Sequence, residues 1–136
     1  MMRKISLKAI ILAFLASFVL DKVCDLALFF LFGGSFPREV ATPQQAYEAV
    51  TGNFGFLAAN AVTSTISIIF GGYLAARLAK KAPYINASVF GLLCLFDLAM
   101  SSEFSPLWLQ VTDFLLIMPA ALLGGYFGRP RAETKA

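Results

Sequence analysis

Long apolar stretches separated by short polar clusters set the pattern of this chain. A bilayer core about 30 Å thick is crossed by roughly 20 apolar residues in a helix. Four stretches meet that length: about 5–32, 54–79, 84–102 and 107–128. The later ones are joined by brief connectors, Lys80-Lys81-Ala82-Pro83 and Glu103-Phe104-Ser105-Pro106. Each connector ends in proline, which suits the first turn of the next helix. Arg3, Lys4 and Lys8 ahead of the apolar run from Ala9 to Leu20 imitate a signal peptide. No small-x-small cleavage pattern follows, and Asp21-Lys22-Val23-Cys24 is not a lipoprotein site, so a retained helix is expected. In the segment 33–53, Thr42-Pro43-Gln44-Gln45 reads as a helix start, with Thr42 as cap and Gln45 at the capping-box position. A short interfacial helix over 43–50 is expected, with Ala46, Ala49 and Val50 on its apolar face.

Charge orients this pattern. Cytoplasmic loops of membrane proteins are enriched in Lys and Arg. Arg3, Lys4, Lys8, Arg77, Lys80, Lys81, Arg129, Arg131 and Lys135 are 9 of the 11 basic residues, and all fall on one side of a four-span arrangement. Of the 8 acidic residues only Glu133 joins them. The expected fold is therefore all-α and membrane-embedded: a single transmembrane domain over 1–136, with N and C termini cytoplasmic. Composition agrees, since 59% of residues are hydrophobic and 14% charged, against about 25% charged in soluble domains. The net charge of +3 is dispersed in topology signals rather than gathered in a patch, so no nucleic-acid partner is expected.

Short echoes recur. Cys24-Asp25-Leu26-Ala27 parallels Phe96-Asp97-Leu98-Ala99, and Gly71-Gly72-Tyr73-Leu74 parallels Gly124-Gly125-Tyr126-Phe127. They suggest two helical hairpins in the same orientation, although a shared packing need explains them equally well. Gly71, Gly72, Gly124, Gly125 and Gly128 fall in small-xxx-small pairs, which let helix backbones approach closely in lipid. Pro119 should kink or loosen the last helix.

Charged residues inside spans are costly and are functional candidates by default. Asp25, Asn60, Asp97 and Asp113 lie at a similar depth below the outer boundary, with Asp21 one turn deeper on the same face as Asp25. With Thr63, Ser64, Ser67 and Gln110 they suggest an outward-facing polar vestibule for a cation or proton. The competing reading is structural: Lys22 pairs with Asp25, Asp113 favours a helix N-terminus, and the hydroxyls bond their own backbone. The chain has no histidine, and Cys24 and Cys94 sit apart in apolar surroundings. No catalytic residues, metal site or cofactor are expected, and an enzyme is disfavoured.

Gly71-Gly72-Tyr73-Leu74-Ala75-Ala76-Arg77 with its basic turn and Pro83, and the Pro119…Leu123-Gly124-Gly125 stretch, resemble small uncharacterised four-span bacterial inner-membrane proteins. The resemblance covers the C-terminal two thirds and implies topology and a bacterial inner (cytoplasmic) membrane, with no activity attached. Two functional expectations follow. The first is a non-enzymatic membrane subunit or homo-oligomer whose partners are the lipid bilayer and other membrane helices. The second is a small cation- or proton-coupled transporter or channel using the Asp cluster.

Overall fold

A computed structural model of the protein describes residues 5–33, 37–39, 41–101 and 105–131. They form five helices and no strand: α1 (Leu7–Phe32), α2 (Pro43–Thr51), α3 (Phe54–Ala79), α4 (Pro83–Ser101) and α5 (Leu107–Gly128). Helix α1 starts two residues later than its apolar run because Ser6 takes the N-cap, its hydroxyl accepting from the Ala9 amide. Asn53 caps α3 the same way through the Phe56 amide. Thr42 caps α2 by accepting from the Gln45 amide, while the Gln45 side chain reaches one residue past Thr42, to the Ala41 amide at 3.0 Å. Helix α2 runs one residue beyond its expected end, to Thr51, whose hydroxyl donates to the Tyr47 carbonyl. Pro83 opens α4, whereas Pro106 is the N-cap of α5 rather than part of its first turn. The expected end of α4 at 102 lies outside the described residues. Helix α5 continues through Pro119 as one helix.

The register of contacts gives the topology. Ser17 meets Ser67, Asp21 meets Ser64 and Asp25 meets Asn60, so α1 and α3 are antiparallel. Gly125 abuts Ala87 while Gly91 abuts Met118, so α4 and α5 are antiparallel as well. Gly124 lies on Ile69 and Gly128 on Tyr73, which makes α3 and α5 parallel. Lys8, the Arg77–Lys81 turn and Arg129 consequently gather at one end of the bundle.

Tight backbone approach holds three of the helices together. A Cβ added to Gly72 would strike the Ala121 carbonyl, and one added to Gly124 or Gly128 would strike the carbonyl of Ile69 or Tyr73. The two Gly-Gly-Tyr echoes thus meet each other across the α3–α5 seam. Gly71 receives the ring of Phe90 from α4, and Phe90 is fully buried. Helix α1 completes the bundle through buried Ala9, Ile10, Ala13 and Ser17. At the basic end, Asn86 is 0% exposed. Its amide nitrogen donates to the Lys81 and Ala82 carbonyls at 2.9 and 3.0 Å, and its oxygen accepts from the Ser6 amide at 2.8 Å. That bridge ties the start of α1 to the α3–α4 turn, where Lys80 and Ala82 both adopt positive φ.

Large apolar side chains cover the outside, among them Leu31 at 78% and Phe30 at 76% exposure. Helices α3, α4 and α5 are each long and apolar enough to cross a membrane. Helix α1 has the length, 26 residues, but Asp21, Lys22 and Asp25 interrupt its apolar character.

Candidate functional site

Counting along each helix from its basic end places the polar residues in two layers. Asp21 lies 14 residues from Leu7, Ser64 15 from Ala79, Asp97 14 from Pro83 and Asp113 15 from Gly128. At 1.5 Å per residue that is a height of about 21–23 Å. Asp25 and Asn60 lie one turn further out, 18 and 19 residues from the same ends.

The inner layer lines a half-open cavity of about 140 Å³. Asp21 from α1, Asp97 from α4 and Asp113 from α5 line it, together with Ser64 and Ser67 of α3. Four helices therefore converge on one space. Asp21 is held in place by the Ser64 hydroxyl, which donates to it at 2.8 Å. Ser67 is buried, accepting from Ser17 through its carbonyl at 2.8 Å and donating to the Thr63 carbonyl at 3.0 Å. Asp97 and Asp113 differ from Asp21: among the described residues neither carboxylate has a hydrogen-bond or ion-pair partner. Asp113 stands well beyond the first turn of α5, where the helix dipole no longer accounts for it.

The outer layer is separate and largely self-satisfied. Asn60 donates to Asp25 at 2.6 Å, and Lys22 bonds the other Asp25 oxygen at 2.8 Å. Lys22 also lies 3.6 Å from Asp21. Asp25 and Asn60 face a second groove with Lys22, Leu26 and Phe29. The five sequence candidates are thus divided, three on the cavity and two on the neighbouring groove, and the expected single vestibule is replaced by two adjoining spaces. Gln110 joins neither; its side chain donates to the Ser105 carbonyl at 2.6 Å. Thr63 bonds the Asn60 carbonyl, as the structural reading anticipated.

Sequence reasoning missed Ser17, Cys94 and Ser101, which also line the cavity. Ser17 precedes Asp21, and Cys94 precedes Asp97, by a single helical turn, a spacing that places each on the same face as its acid. No group of three or more Cys, Asp or Glu residues among the described residues is close enough to hold a metal ion. The site is accordingly a carboxylate- and hydroxyl-lined cavity rather than a chelating cage.

Comparison with known proteins adds no relative: no family model matches the chain, and no curated protein or solved structure matches it either.

Proposed function

We propose that the chain is a non-enzymatic, four-span protein of the bacterial inner membrane, with its basic ends cytoplasmic, that binds a proton or small cation in the carboxylate cavity and moves it across the outer half of the bilayer. The observation that carries this reading is the convergence of Asp21, Asp97 and Asp113 from three helices on one cavity, two of them without a partner among the described residues. Fully ionised, Asp21, Asp25, Asp97 and Asp113 outnumber Lys22 by three charges. Asp21, Asp25 and Asp113 are half-buried and Asp97 is exposed on the bundle, and intramembrane acids that face a cavity mark ion or proton pathways. The hydroxyls of Ser64 and Ser67 supply the neutral oxygens that replace hydration around a hard cation. Helix α1 serves as the fourth span because Lys22 neutralises part of its own acidic turn.

Proteoliposomes containing the full chain test this. Under an imposed gradient, proton, Na⁺ or K⁺ flux should exceed that of empty vesicles, and Asp113→Asn should reduce it several-fold. Absence of flux for all three ions would remove the transport reading. A second reading, a membrane subunit or homo-oligomer, draws on the apolar faces that α1 and α5 both present outward. Purification in mild detergent with a stoichiometric second protein would favour it.

A further inference from the structure

Phe14 and Asp97 belong to two spaces at once. One is the carboxylate cavity. The other is a groove of about 220 Å³ between α1 and α4, walled by Ile11, Phe14, Leu15, Leu93, Phe96 and Asp97. Every groove residue except Asp97 is aliphatic or aromatic. Ile11, Leu15, Leu93 and Phe96 are all exposed on the outside of the bundle, so in a membrane the groove opens to lipid.

Three kinds of occupant can be compared by chemistry. A neutral acyl chain would cover the apolar walls but leave the Asp97 carboxylate in hydrocarbon, where an uncompensated charge is costly. An inorganic ion would satisfy the carboxylate and gain nothing from the groove. An organic cation with an apolar body satisfies both surfaces, because its hydrocarbon part fills the groove while its charge lies at the junction with Asp97, Asp113 and Asp21. Phe14 and Phe96 add aromatic faces, which favour quaternary ammonium groups.

We infer that the α1–α4 groove and the carboxylate cavity form one binding site for a hydrophobic organic cation that enters from the lipid side. The inference rests on the proposed cation-binding role of the cavity and narrows its ligand class. Asp97 receives the charge, and Leu93 and Phe96 contact the apolar body.

Benzyltrimethylammonium is a suitable probe, with tetramethylammonium lacking the apolar body and neopentylbenzene lacking the charge. Titration calorimetry would use the full chain in zwitterionic nanodiscs, with empty nanodiscs subtracted. Saturable binding of benzyltrimethylammonium, tighter than either comparison compound, is the expected result. Asp97→Asn should weaken it about tenfold or more, the scale of a lost charge-assisted contact. Leu93→Ala, which removes an apolar wall of the groove, should weaken it while leaving tetramethylammonium unchanged. Leu123→Ala on the outer face of α5 should alter neither. Equal binding of benzyltrimethylammonium and neopentylbenzene, or no effect of either groove variant, overturns the inference. If tetramethylammonium and benzyltrimethylammonium bind alike and ion flux persists, the groove is not part of the site, yet the cavity's proposed role stands. Loss of all cation binding and flux removes both.

Discussion

Gly124→Ala adds one methyl group at the seam between α3 and α5, and its effect can be worked out from the neighbours. The new Cβ would overlap the Ile69 carbonyl oxygen and lie 2.7 Å from the Tyr73 amide nitrogen. Both are backbone atoms within α3, so neither can rotate aside as a side chain would. The helices must separate by about 1 Å to restore ordinary contact, and gaps of that size forfeit a quarter to a half of each dispersion contact along the seam. Overpacking of this kind costs about 1–3 kcal/mol. Alanine's better helix propensity returns up to about 1 kcal/mol, leaving a net loss of up to about 2 kcal/mol. Gly33→Ala is the control, since a Cβ there meets nothing within 4 Å and the residue already has right-handed helical dihedrals. The assay is thermal unfolding in detergent followed with a thiol-reactive dye, which reads the exposure of partly buried Cys24 and Cys94. Gly124→Ala should unfold at lower temperature than wild type and Gly33→Ala should not. If Gly124→Ala is as stable as wild type or more so, the close α3–α5 seam is refuted.

Two further predictions use the same assay. Gly71→Ala should destabilise because the Phe90 ring occupies the space of its Cβ; Phe90→Leu in the same chain should recover part of that loss, and additive losses in the double variant would contradict the contact. Asn86→Ala should cost about 2–4 kcal/mol, since it removes three hydrogen bonds at a fully buried position and leaves their backbone partners to find water. Amide exchange at Ser6 and around Ala82 should quicken with it; unchanged protection at Ser6 would count against the bridge.

The helices were legible because apolar length and end signals are local properties. Thr42, Asn53 and Pro83 act within four residues of themselves, and the helices they begin lie where the sequence puts them. The Lys22–Asp25 pair was legible for the same reason, being one turn apart on a single helix. The make-up of the cavity was not. Helices α1 and α5 are apolar almost all round, so hydrophobic periodicity does not disclose which face turns inward. Without that rotation, Asp25 and Asp97 look equivalent in their echoing tetrapeptides, yet one is tied to Asn60 and Lys22 and the other faces the cavity. Asn86 escaped notice because its worth depends on Ser6, 80 positions away. Small-residue spacing did mark Gly71, Gly72, Gly124, Gly125 and Gly128, but only the packing distinguishes those that face backbone from Gly71 and Gly125, which face side chains.

The placement of Lys22 also bears on how the chain is made. Proteins emerge N-terminus first, so on the proposed four-span reading α1 would reach the membrane before any helix that packs against it. The partners that later hold its acids are far behind: Asn60 follows Asp25 by 35 positions, and Ser64 follows Asp21 by 43. The Asn86 bridge to Ser6 arrives later still. Lys22 is the exception, available as soon as its own turn of helix has formed. If α1 spans the membrane as proposed, Lys22 would keep part of the charge of the acidic turn balanced until α3 is in place. Replacing it would be felt first by the insertion machinery, as a lower yield of membrane-integrated chain.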